Sequence, residues 1–195
     1  MRNQGIWVGL GIVVGLCMVL LALFLGADFH MANSETQTNV TTASSRWPSE
    51  TSLPPQTVQY RVEGDDLLAM ALRQALAGQL SNAELAEGTA VPQLIVRIDQ
   101  ERTNWTPVYG RAEIVVTAAF SSNGDFAFME TEPTHFQFNE GDDAGTGHLV
   151  QALAEISLTD RSGGLLSRPG YRQLLAEKLA QEVDKALQTQ VFAAP

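Results

Sequence analysis

Apolar residues are unevenly placed along this chain. From Ile6 to Gly26 the sequence reads IWVGLGIVVGLCMVLLALFLG, with no charge. At about 1.5 Å per residue such a run covers roughly 30 Å as a helix, the thickness of a hydrocarbon layer. It is longer than the apolar core of a secretory signal, and Leu25-Gly26-Ala27 makes a poor cleavage site. The expectation is a retained transmembrane anchor over 6–26 behind a short cytoplasmic N-terminus, 1–5. Arg2 lies before the run, and Asp28 and Glu35 lie after it. That bias predicts that the rest of the chain is exported.

Residues 27–56 are dominated by Ser and Thr, carry Pro48, Pro54 and Pro55, and show no hydrophobic period. This composition predicts a flexible linker. Patterning resumes over 57–191, ahead of a short tail, 192–195. Val58, Tyr60 and Val62 alternate with polar residues, as in a half-buried strand. Leu68, Leu72, Leu76 and Leu80 recur every four residues after Asp65-Asp66, which predicts a capped amphipathic helix. Alternation returns at Leu94, Val96 and Ile98, and again from Ala112 to Phe120. Ser121-Ser122-Asn123-Gly124 reads as a hairpin turn into a returning strand through Phe126 and Phe128, broken by Pro133.

Farther on, Leu149, Leu153 and Ile156 suggest a short helix over 148–158, with a loop over 159–170. Tyr171, Leu175, Leu179, Val183 and Leu187 mark a long terminal helix. The predicted fold class is α+β. A transmembrane helix precedes a two-layer sandwich, with a mainly antiparallel four-stranded sheet and two main helices on one face.

Charge narrows the function. The 195 residues carry 22 acidic and 12 basic side chains, for a net charge of −10. Arg and Lys are scattered singly, so no basic surface for nucleic acid is expected. Cys17, the one cysteine, excludes an intrachain disulfide and a Cys-based zinc cluster. No phosphate loop, H-E-x-x-H, C-x-x-C or G-x-S-x-G is present. Glu130, Glu132 and His135 form one compact oxygen/nitrogen cluster, with Asp142, Asp143 and His148 downstream. A solvated, charge-protected edge strand accounts for them better than a metal does. The loop 139–147 lacks the ligand spacing of a calcium site. No catalytic, cofactor or metal residue is therefore assigned. Trp105 and Tyr109 flank Pro107 in a stretch read as a loop, and they are the candidate partner contact.

The segments LIVRIDQ (94–100), GRAEIVVTAAFSSNGDFAF (110–128) and YRQLLAEKLAQEVDKAL (171–187) follow the order of small bacterial envelope proteins. The chain resembles the lipopolysaccharide-assembly lipoprotein LptE, the YajG-type lipoproteins and the auxiliary lipoproteins of envelope transport systems. Those proteins are lipidated at a Cys after a short signal, and this chain departs from that. The resemblance implies a non-catalytic assembly or scaffold role, with a protein partner in an envelope complex and no transferable site residue. It adds an expected place, the bacterial inner membrane with the domain in the periplasm. A small-amphiphile or lipid-binding domain is the alternative. It needs an apolar cavity between sheet and helices. A metal-dependent enzyme built on Glu130, Glu132 and His135 ranks third.

Overall fold

The computed structural model describes residues 4–27, 29–47, 58–80, 93–130 and 149–192. Helix α1 covers Gln4–Gly26 and strand β1 covers His30–Trp47. Strand β2, Gln59–Glu63, leads to α2, Leu67–Gln79. Strands β3, Gln93–Thr106, and β4, Tyr109–Ser121, follow. A 3₁₀ turn at Ala127–Glu130 precedes β5, Leu149–Leu166, and α3, Arg168–Leu187. The five strands form one sheet in the order β1-β5-β4-β3-β2. Only the β2–β3 pair is parallel.

Four expectations are corrected. The first is the membrane span from Ile6 to Gly26. The segment is helical, but among the described residues no helix is long and apolar enough to cross a membrane. The single-pass, inner-membrane placement rested on that span and falls with it.

The second is the linker 27–56. Its first part is β1, an 18-residue strand paired antiparallel with β5 from His30↔Leu166 to Trp47↔Leu149. Thr36, Thr38, Val40, Thr41 and Thr42 are β-branched and suit a pleated backbone. All three prolines come after Trp47, so nothing interrupts the ladder. Residues 48–57 lie outside the described residues. The sheet thus begins at residue 30 rather than 57.

The third is the helix over 148–158 and the loop after it. Both belong to β5. Val150, Ala152, Ala154, Ile156 and Leu158 point to one buried face, and that two-residue period prevails over the helical one. The fourth is the returning strand at Phe126 and Phe128. Asn123 Oδ1 accepts from Ser121 Oγ and the Asp125 amide, and the chain then enters the 3₁₀ turn. Phe128 packs on Ala119 and Leu153 on the sheet's outer face. The sheet therefore has five strands and is mixed rather than four-stranded.

The core lies on the other face, under α2 and α3. Leu68, Leu72 and Leu76 of α2 and Tyr171, Leu175, Leu179 and Val183 of α3 are buried against the even-numbered residues of β4 and β5. Each buried Leu contributes about 1.5–3 kcal/mol relative to exposure. Asp66 caps α2, its Oδ1 accepting from the Ala69 amide at 2.7 Å. Ser167 caps α3, its Oγ accepting from the Gly170 amide at 3.0 Å. The same Oγ also bonds the Phe29 amide and carbonyl, which ties the α1–β1 junction to the start of α3.

Candidate functional site

Strand lengths create the principal cleft. β2 pairs only with Gln93–Arg97 of β3, so among the described residues β3 runs on to Thr106 without a neighbour on that side. α2 follows β2 and starts as early as β2 stops. The helix-side face of the β3 overhang is left without cover from α2. The pairings make β2, β3 and β5 run the same way, so α2 and α3 both begin at this end of the sheet. The result is a cleft of about 540 Å³ bounded by Leu68 of α2, by Glu101, Thr103, Asn104 and Trp105 of β3, and by Arg168, Tyr171, Arg172 and Leu175 of α3.

A β-bulge aims these β3 side chains. The register slips between Ile98 and Gln100. Before the slip Leu94, Val96 and Ile98 face the helices. After it Glu101, Thr103 and Trp105 do, because they sit opposite Ile114, Ala112 and Gly110. Trp105 packs against the core edge, and its indole N–H is buried with no partner among the described residues. Tyr109 opens β4 one position before Gly110, so it faces the opposite side of the sheet, 43% exposed. The two aromatics read as a joint contact patch are therefore parted by the sheet itself.

Tyr171 links this cleft to a buried polar cluster. Its ring lies over Gly110, where a Cβ would meet ring atoms at 2.7–3.0 Å. Its hydroxyl donates to Asp160 Oδ2 at 2.9 Å. Ser162 Oγ donates to the same oxygen at 2.8 Å. Asp160 Oδ1 accepts from Ser34 Oγ at 2.5 Å and Thr36 Oγ1 at 2.6 Å, both on β1. Lys178 Nζ stands 3.8 Å from Oδ1 and donates to Ser34 Oγ and Thr36 Oγ1. Asp160 itself has no exposed surface.

Burial pushes the Asp160 carboxyl up, but the four hydroxyl donors together outweigh it and hold the group below its ordinary value. Burial and the facing carboxylate drive the Tyr171 phenol far above its ordinary range, so it stays a hydrogen-bond donor. At Arg172, burial and then the Arg168 charge lower the guanidinium's value, opposed by Glu101 and Asp66. Chemically, the cluster is a saturated carboxylate clamp that fastens β1 to β5 and α3. The cleft offers two guanidiniums, an indole donor and one carboxylate on an apolar floor.

Several sequence candidates fall elsewhere. Glu130 ends the 3₁₀ turn, and its side chain is outside the described set. Glu132, His135, Asp142, Asp143, His148 and the loop 139–147 lie outside the described residues. Among the described residues no group of three His, Cys, Asp or Glu side chains could hold a metal. Beneath the far end of α3, the apolar gap lined by Phe120, Leu153, Val183 and Val191 measures about 10 Å³, too small for an amphiphile. Sequence reading missed Asp160, Arg168, Tyr171 and Arg172. The signals available were Arg168 and Arg172 one helical turn apart and a lone Asp inside an apolar period.

No family model matches the chain. No curated protein matches it. Three chains of solved structures match. One is a dodecamer of a PelC point variant from Paraburkholderia phytofirmans, 16% identical, covering 80% of this chain and 100% of that one with a TM-score of 0.38. At that score the likeness carries no argument, and it does not bear on the LptE- or YajG-type resemblance.

Proposed function

We propose that this chain is a non-catalytic assembly module that joins by strand pairing along β1. The observation that carries the reading is the edge itself. β1 is 18 residues long, lies at the border of the sheet, and contains neither Pro nor Lys. Natural edges of this length are blunted by such residues, because a bare row of amides and carbonyls is a template for another strand. Its two charged residues guard it poorly. Arg46 is turned under the helix layer, with Nη2 donating to the Gln190 carbonyl at 2.9 Å, which leaves Glu35. The opposite edge, β2, has five residues. The separation of Trp105 from Tyr109 also favours the edge over an aromatic contact patch. A second copy of β1, arranged antiparallel about a two-fold axis, is the partner.

Successive residues of β1 direct their amides alternately towards β5 and away from it. Proline at two neighbouring positions, Gln37→Pro and Thr38→Pro, therefore separates folding from pairing. One variant loses an outward amide and keeps the ladder; the other breaks the ladder. Sedimentation from about 1 to 300 µM should show wild-type association in the micromolar range, about −8 kcal/mol. The proline variant that keeps its fold should be monomeric. A wild-type chain that stays monomeric throughout, or unchanged association in the folded variant, removes the reading.

A further inference from the structure

The 540 Å³ cleft over the β3 overhang stands apart from strand pairing, since no β1 residue lines it. Arg61, Arg73, Arg97 and Arg111 each have a carboxylate within 4.0 Å. Arg168 and Arg172, like Arg102 and Arg161, make no hydrogen bond or ion pair among the described residues, but these two stand together at the wall of the cleft. The carboxylates that act on Arg172, those of Glu101 and Asp66, do so without forming an ion pair, so both guanidiniums keep their donors for a ligand.

Three further observations converge there. Arg168 is the first residue of α3, so the positive end of a 20-residue helix stands at the cleft wall. The buried indole N–H of Trp105, another lining residue, has no acceptor among the described residues, and an orphaned buried donor costs about 1–3 kcal/mol. The remaining wall pairs Thr103 and Asn104 donors with apolar Leu68, Leu175 and the Tyr171 ring. Every charged or polar group except Glu101 can donate a hydrogen bond. A cleft of this size holds a small organic molecule.

We infer that this cleft is a binding site for a small molecule bearing an oxyanion, a carboxylate or a phosphate, held between Arg168 and Arg172. Two guanidiniums one helical turn apart present forked donors that match the paired oxygens of either group. The body of the ligand lies on Leu68, Leu175 and Tyr171. Glu101 faces it as an acceptor and disfavours ligands with a second negative group at that end.

The test follows the Trp105 indole proton and nitrogen resonance, assigned through Trp105→Phe, in the full chain. Inorganic phosphate, acetate and chloride are titrated separately at matched ionic strength. The expected result is a saturable shift with phosphate or acetate at about millimolar Kd, and none with chloride. Which of the two saturates at the lower concentration identifies the group. Arg172→Gln and Arg168→Gln should each weaken that binding about tenfold, whereas Arg97→Gln, on the outer face, should leave it unchanged. Neither cleft arginine makes a hydrogen bond or ion pair among the described residues, and an unchanged amide spectrum confirms the fold of each variant. No saturable shift with either oxyanion, a response equal to that of chloride, or the same Kd in both cleft variants overturns the inference.

Discussion

Replacing Asp160 by alanine tests whether the buried cluster fastens β1 to the rest of the fold. The carboxylate accepts four hydroxyl hydrogen bonds and faces Lys178 at 3.8 Å, with none of its own surface exposed. A hydrogen bond to a charged acceptor is worth about 1.5–3 kcal/mol, but the four do not sum. Ser34 and Thr36 already lie 3.1 Å apart and can re-pair, and losing the carboxylate also relieves its own desolvation. What remains is the Tyr171 and Ser162 hydroxyls without their acceptor, and a half-buried ammonium left with the neutral Ser34 and Thr36 hydroxyls in place of a carboxylate. The expected cost is about 3–5 kcal/mol, the range for breaking a buried charge pair. At roughly 2–4 °C per kcal/mol the melting point falls by some 6–20 °C. Asp160→Asn keeps an acceptor, and the hydroxyls can rotate to accept from its amide, so it should cost less, about 1–2 kcal/mol.

The pH dependence of the same pair has a definite sign. The folded-state carboxyl lies below its ordinary value of 3.8, so its stabilisation is complete above that pH and is lost as pH falls through the lower folded value. Urea unfolding of wild type and Asp160→Asn should show a constant gap between neutral pH and about pH 5 that closes on further acidification. A gap that widened in acid, or an alanine variant costing under about 1 kcal/mol, would refute the clamp.

Two glycines test the packing around it. Gly110→Ala puts a methyl 2.7 Å from the Tyr171 ring, which is buried and tied to Asp160, so about 1–3 kcal/mol of overpacking should appear in urea unfolding. Gly164 has φ +137°, and a Cβ there would stand 2.8 Å from the Ala32 Cα and the Met31 carbonyl oxygen. Gly164→Ala should loosen the start of β1, read as a selective loss of amide-exchange protection over 31–36, while α2 keeps its protection.

How legible these features are depends on what each side chain meets. Leu68, Leu72 and Leu76 meet an apolar sheet, so their helical spacing shows plainly, and Asp66 marks the start. The strands at 94–98 and 112–120 alternate for the same reason. β5 is harder because it is central. Leu153 and Gln151 are buried on the outer face while Ala152 and Ala154 are buried on the inner one. Alternation is blurred there, and Leu149, Leu153 and Ile156 happen to fit a helical period. β1 is hardest. Its inward positions Ser34 and Thr36 meet a buried carboxylate, so the polar pattern that suggests a linker is the complement of one residue 124 positions away from Thr36. Hydropathy carries no trace of that match.

The cleft depends on a still smaller feature. Without the bulge between Ile98 and Gln100, the parity set by Leu94 and Val96 would continue. Trp105 would then stand on the outer face beside Tyr109, the pair that the sequence suggests. One extra residue turns the strand end over. Trp105 moves under the start of α3, opposite Gly110, and Glu101 and Thr103 come round with it. Gly110 in turn leaves room for the Tyr171 ring, whose hydroxyl reaches Asp160. The bulge, the glycine and the clamp thus form one mechanical chain from the cleft wall to β1.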